Sequence, residues 1–564
     1  MNKHLTRYLL AAGLLVASSG TAWAIKASPK PITVKQPDGT TLVIRVHGDE
    51  NFHYITTTDG FLIQRDKDGY FKYVQTDASQ GTRKLTARRA LNADKRSAAD
   101  NQFLSTLRPI RKEADAEWLK SLRGNVQPMT VGQTLPASVR SRKVDAQTGE
   151  AKESEYLVVL VKYADGEFHF ADSDFDAWLN EKGYSKNGGT GSVKDYYHDN
   201  SMGQFVPNFT VVGPYTLDHE RTYYAADLGG TGNDVNPQAL VIEAAQKAKA
   251  DHPEIDFSKF DNDGDGYMDN INVVIGGYSQ ASSGDDKDMW PHSYRLKTSD
   301  EDLSIEIDGI RVNNYSVSAE LVGASGINMD GIGTFTHEFG HILGLKDMYD
   351  TDDYDGGIGI DPGAYSLYAS GSYNNNSRTP AALMTFERLQ MGWLKKEDLH
   401  QLNKAEDVTL PIMTSNTAAY VDARPGLSDD EGYEWYVFEN RQKTGWDSYI
   451  PYHGLLIYHL DYTKSMVDKY WSVNGPNNNA RHRCMYIVPA DGIDDTNTRK
   501  GDTYPGTSGV TSFTDYYNWL GDKVRTPITN IREENGLVFF QVKGGATEQS
   551  SIETQPVGYA DIAS

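Results

Sequence analysis

Two histidines four residues apart, with a glutamate directly after the first, constrain this chain more than any other feature: His337-Glu338-Phe339-Gly340-His341. That spacing becomes useful on an α-helix, where about 3.6 residues per turn stack positions i and i+4 on one face. Two imidazoles so stacked can share one divalent ion, and the glutamate between them can face a water on that ion. The chain continues Ile342-Leu343-Gly344-Leu345-Lys346-Asp347. Gly344 can end the helix in a left-handed turn, after which the chain swings back and offers Asp347 as a third ligand. The expected chemistry is zinc-dependent hydrolysis of peptide bonds. His337, His341 and Asp347 hold the ion, and Glu338 is the general base for a metal-activated water. Phe339, Ile342, Leu343 and Leu345 form an apolar set that an ordinary buried helix would also carry. That plainer reading leaves the helix-ending glycine and the acid after it unexplained.

At 564 residues the chain exceeds what one hydrophobic core usually supports, so several domains are expected. Acidic residues outnumber basic ones by 78 to 55, a formal charge of -23. Nucleic-acid binding needs a basic face and is not expected. Residues 1–24 read as a secretory signal peptide. Lys3 and Arg7 give the positive start, Tyr8 to Val16 the apolar core, and Ala22-Trp23-Ala24 the small-x-small cleavage site. The apolar core is too short to span a bilayer, so export to the periplasm or the outside is expected, without a membrane span. The one cysteine, Cys484, excludes an intrachain disulfide and reads as a small buried residue.

Residues 25–154 form an N-terminal region. Strands are expected at Thr41 to Val46, Phe61 to Ile63 and Tyr70 to Tyr73, with Asp59-Gly60 and Asp68-Gly69 as turns, then a charged helical stretch from Ala90 to Leu122. A polar linker with Ser138-Val-Arg-Ser-Arg-Lys143 closes it, where basic residues offer cleavage points. Its position ahead of a protease favours an α+β propeptide, hence a zymogen; a permanent structural domain is the alternative. Residues 155–396 mix a buried strand at Tyr156 to Val161, helices at Val193 to Asn200 and Pro237 to Ala250, a strand at Ile271 to Ile275 and the motif helix from about Asp330. That mixture implies an α+β catalytic domain. Residues 397–544 carry short strands between turns and read as a β-rich, sandwich-like C-terminal domain, with 545–564 a polar tail.

Asp261-Asn262-Asp263-Gly264-Asp265-Gly266-Tyr267-Met268-Asp269 keeps a calcium-loop register, with acids at positions 1, 3, 5 and 9 and glycine at 6. Asp261, Asp263, Asp265 and Asp269 would bind through carboxylates and Tyr267 through its carbonyl. Position 12 is Asn272 instead of the usual glutamate, and an acidic turn without metal is the alternative. Asp350, Asp352, Asp353, Asp355 and Asp361 fit no set pattern, so calcium binding and a solvated loop stand level. His198, His292, His453 and His459 are isolated and read as ordinary hydrogen-bonded histidines.

The extended motif, with aspartate as third ligand, resembles the immune inhibitor A-like metalloproteases, relatives of the metzincin zinc peptidases. Gly191-Ser-Val-Lys-Asp-Tyr-Tyr197 with Asn200-Ser-Met-Gly203, Trp290-Pro-His292, Thr379-Pro380, Met391-Gly-Trp-Leu394, Glu439-Asn-Arg441 and Gly454 to Asp461 are similar to blocks of that family. Asp38-Gly39, Gly48-Asp49-Glu50 and Asp59-Gly60 resemble its propeptides. The resemblance implies a metzincin-like catalytic domain and secreted endopeptidase activity on protein or peptide substrates. The methionine under the zinc in that family corresponds here to Tyr368, which would fill the floor without binding the ion. The rival is a secreted binding or adhesion protein on a catalytically weak protease scaffold.

Overall fold

The computed structural model describes residues 23–77, 82–110, 153–227, 233–298, 301–351, 359–496 and 498–546. The hydrophobic core of the signal, the basic linker at 138–143, most of the second acidic stretch and nearly all of the tail lie outside them.

The central sheet runs in the order Trp23–Ala24, His292–Arg295, Asn314–Leu321, Ile271–Tyr278, Ser154–Lys162, Pro207–Thr216. Its last four strands are mutually parallel, and the first two are antiparallel to their neighbours. Both faces are covered, which is why the strand expected at Tyr156 to Val161 reads as an unbroken apolar run. Tyr156, Val158 and Leu160 face a core shared with the motif helix, while Leu157, Val159 and Val161 pack beneath the helix Pro237–Asp251. That helix carries proline in its first turn, where a missing N–H costs nothing.

The motif helix spans Ile332–Leu343 and every residue in it is buried. It starts two residues later than the sequence suggests. Asp330 stands outside, accepting from Gly331 N at 2.8 Å and Thr334 Oγ1 at 3.2 Å, so it steadies the first turn instead of joining it. Gly344 ends the helix at φ 109°, and Leu345 N donates to Gly340 O at 3.2 Å. A side chain at 344 would meet the left-handed penalty there.

The N-terminal region is a six-stranded antiparallel meander from Ile32–Lys35 to Thr82–Arg89. Of the helical stretch expected over 90–122, residues 111–122 lie outside the described residues, and one α-helix is described. It covers Ala98–Leu104, begun by a Ser97–Asp100 capping box. C-terminally, a five-stranded sheet (His400–Gln401, Ala419–Asp422, Gly432–Arg441, Gly454–Thr463, Met485–Ile487) faces a three-stranded one (Glu406–Leu410, Leu537–Val542, Ile528–Glu534). Val408, Phe438, Ile457, Ile528 and Phe540 pack between them. The other face of the larger sheet, through Trp435, Val437, Tyr458 and Leu460, joins the core that holds the motif helix. The β-rich region is thereby fixed against the helix that carries the histidines.

Candidate active site

Helix and turn bring the three expected ligands together. His337 Nε2 and His341 Nε2 lie 3.0 Å apart, and Asp347 Oδ1 is 3.2 and 3.4 Å from them. All three side chains are buried. Each imidazole places Nδ1 at 2.9 Å from a backbone carbonyl, that of Leu367 for His337 and of Leu345 for His341. A carbonyl only accepts, so both protons sit on Nδ1 and both Nε2 lone pairs point at one spot. Asp347 Oδ1, aimed at the same spot, has no hydrogen bond. Two lone pairs and a carboxylate oxygen converging in a buried place fit a cation, and a tetrahedral zinc sets its ligands about 3.3 Å apart. The donor set suits that ion.

Two supports were not visible in the motif. Asn474, 127 residues beyond Asp347, accepts its backbone N–H at 2.8 Å and donates from Nδ2 to its Oδ2 at 2.7 Å, leaving Oδ1 to the imidazoles. The only sequence sign of it is Asn474-Gly475-Pro476, a turn signal; Asn474 has φ 58°, which asparagine tolerates. Beneath the rings lies Tyr368, as expected, 4.9 and 5.1 Å from the His337 and His341 ring centroids. Its hydroxyl is 3.4 Å from His337 O, and the neighbouring Tyr197 hydroxyl donates to Thr336 O at 2.6 Å. A Cβ on Gly340 would stand 1.7 Å from the Tyr368 hydroxyl and 2.9 Å from that of Tyr197. Gly340→Ala is therefore expected to cost about 1–3 kcal/mol of stability, and Tyr368→Phe in the same chain to restore part of it. Denaturant melts check this; a neutral Gly340→Ala would show that the floor yields.

Glu338 follows His337 on the same helix and meets the N-terminal segment. Ile25 N donates to its Oε1 at 2.7 Å, and its Oε2 has no hydrogen bond. Burial, then the charge of Asp347, raises its carboxyl well above the ordinary glutamate range. The segment is held on all sides. Trp290 Nε1 donates to Ile25 O at 2.8 Å, Tyr373 Oη to Lys26 O at 2.6 Å, and Ala27 N to Gly48 O at 2.8 Å. Trp23 and Ala24 pair with Ser293 and His292, adding a strand to the sheet edge.

Carboxylate oxygens of Asp261, Asp263 and Asp265 lie within 4.8 Å of one another. Asp261 also accepts from the backbone N–H groups of Gly264 (2.8 Å) and Gly266 (2.9 Å), which fixes the loop. Burial, then the neighbouring Asp265 charge, raises the Asp263 carboxyl. Tyr267 and Asp269 fall outside this trio. Asp269 is buried and accepts from Asn262 Nδ2 at 2.7 Å, and the Tyr267 N–H donates to Asp265 Oδ1 at 2.8 Å.

The isolated histidines have ordinary partners. His292 bonds to Trp290 O at 2.7 Å, and burial lowers its pKa to about 4; His453 meets Glu533 and His459 meets Glu434. Cys484 is buried, which pushes its thiol up and away from reactivity. Of the second acidic stretch, Asp350 accepts from Gly359 N at 2.9 Å and Asp361 pairs with Lys26, while Asp352, Asp353 and Asp355 lie outside the described residues.

The family described as the immune inhibitor A peptidase M6 catalytic domain matches residues 147–397. Immune inhibitor A of Bacillus thuringiensis subsp. alesti is 28% identical over 284 residues, 42% of this chain and 39% of that protein. The pre-pro-metalloprotease PrtV of Vibrio cholerae serotype O1 (strain M66-2) is 25% identical over 222 residues, 35% of this chain and 23% of that protein. The chain thus spans well under half the length of these relatives. The matched segment contains the motif helix, Asp347 and the acidic loop, and over it the chain is similar to the immune inhibitor A peptidase M6 catalytic domain.

Proposed function

We propose that this protein is an exported zinc endopeptidase made as a zymogen. The observation that carries the reading is the convergence of His337, His341 and Asp347 on one buried point beside the carboxylate of Glu338. When bound there, zinc supplies an activated water and polarises the scissile carbonyl. His337 and His341 keep their protons on Nδ1, committed to Leu367 O and Leu345 O. Asn474 holds Asp347 in one rotamer. Glu338 takes a proton from the attacking water and passes it to the departing amine. Its Oε1 already faces a backbone nitrogen in the cleft.

Asn474→Ala should lower zinc affinity about 10–100-fold, the usual effect of removing a group that orients a ligand. Chelator competition measures it; an unchanged affinity would show that Asp347 needs no such partner.

Residues 1–24 are read as the signal, 25–154 as the propeptide and its linker, 155–396 as the catalytic domain, 397–544 as the β-rich domain and 545–564 as a tail. The N-terminal segment blocks the cleft by lying in it, with Ile25 N on the catalytic carboxylate. Signal cleavage after Ala24 would make that nitrogen an α-amine and strengthen its bond to Glu338. Asp261, Asp263 and Asp265 are read as a calcium site that stiffens the loop before the strand Ile271–Tyr278, with Asp269 and the Tyr267 carbonyl joining when the ion is bound. Calcium titration calorimetry with no saturable heat would remove that reading. Protein and peptide substrates follow from the cleft, which takes an extended chain along the sheet edge. The test is casein digestion by the secreted protein. Hydrolysis should stop with a zinc chelator and return with zinc; chelator-insensitive digestion would assign the activity elsewhere.

A further inference from the structure

The residue after Ile25 tells what the cleft selects. Lys26 sends its ammonium to Asp361 Oδ2 at 2.7 Å, and the Asp361 side chain is only 4% exposed. Asp361 Oδ1 is held by Gly363 N at 2.8 Å, and Arg499 Nη2 donates to its backbone carbonyl, so the carboxylate is fixed before any lysine arrives. Tyr349 forms a wall, its ring centroid 5.6 Å from Lys26 Nζ. Burial opposes charge on Asp361, yet the Lys26 ammonium, the Gly363 N–H and the Arg499 guanidinium together keep the carboxyl below its usual range. A buried carboxylate with one oxygen turned into a cleft is costly unless a cation meets it. A segment that served only to cover the site would be held as well by an apolar side chain.

Ile25 N occupies the place of the amine that Glu338 protonates, so Ile25 stands for the first residue beyond the scissile bond and Lys26 for the second. We propose that Asp361, with Tyr349, forms a subsite that selects a lysine or arginine side chain at the second position beyond the scissile bond. The inference rests on the peptidase reading above and names its substrate preference: extended chains with a basic residue there. Arginine fits the same chemistry because its guanidinium can bond the fixed carboxylate and lie against the ring.

Two measurements decide it separately from the peptidase reading. In the full-length protein, hydrogen exchange at the Ala27 and Ser28 amides reports how firmly the segment is seated. Lys26→Met should speed it at least about tenfold and Lys26→Arg leave it within about threefold, since a charge-assisted bond is worth roughly that factor or more. Equal exchange in wild type and Lys26→Met would overturn the proposal even if no peptide is ever cleaved. In active secreted enzyme, peptides differing only at that second position should show kcat/KM at least about tenfold higher for lysine than for glutamate or norleucine. Asp361→Asn, whose amide oxygen can still accept from Gly363 N, should collapse that ratio to near one. Cleavage with no preference among the three would overturn the subsite while leaving the peptidase reading intact.

Discussion

Glu338→Gln should leave zinc bound and lower kcat/KM for peptide hydrolysis by about 10²–10⁴-fold, the usual contribution of a positioned general base. The proposed ligand atoms belong to His337, His341 and Asp347, so nothing that would grip the ion is lost. Glutamine matches glutamate in shape and can still accept from Ile25 N, so the fold and the seated N-terminal segment should survive. What disappears is the ability to take a proton and give it up. The loss should fall on kcat more than on KM, because proton transfer matters in the transition state. Stopped hydrolysis with metal content unchanged is the expected pair of results; wild-type turnover in Glu338→Gln would remove the residue from its role.

Release of residues 25 to about 150 should raise activity about a thousandfold. A segment tethered at an effective concentration of about 1 mM, binding as a peptide of about 1 µM Kd would, leaves roughly one cleft in a thousand open. The structure gives the tether its grip. Ile25, Lys26 and Ala27 are each bonded to surrounding residues, and the meander from Ile32 to Arg89 packs against Ala281, Trp290 and Tyr373. Comparing full-length and processed protein on one fluorogenic peptide, with N-terminal sequencing of both, measures the ratio. Equal activity in the two forms would make the region a permanent structural domain.

The motif helix and its glycine exit were legible because they obey local rules. A 3.6-residue period puts two histidines on one face, and a left-handed turn needs a residue without Cβ. The buried strands were legible for the same kind of reason, since covering on both faces leaves unbroken apolar runs such as Tyr156 to Val161. Asn474 was not, because its partner lies 127 residues away and asparagine in a turn looks the same with or without a ligand to hold. Nor was the occupant of the cleft. The Ile25 N–H meets Glu338 there. Backbone donors carry no sequence signature, so docking geometry alone reveals them. Tyr368 shows an intermediate case. Its position under the rings was implied by the resemblance to the metalloprotease family, but its dependence on Gly340 appears only when hydroxyl and helix are seen at contact distance.

The most direct test is metal analysis of the purified secreted protein by mass spectrometry, on wild type and on His341→Ala. One zinc per wild-type chain, and at least about a hundredfold weaker zinc binding when one imidazole is removed, are expected. Active wild-type protein with no stoichiometric zinc, or undiminished zinc in His341→Ala, would contradict the account at its centre.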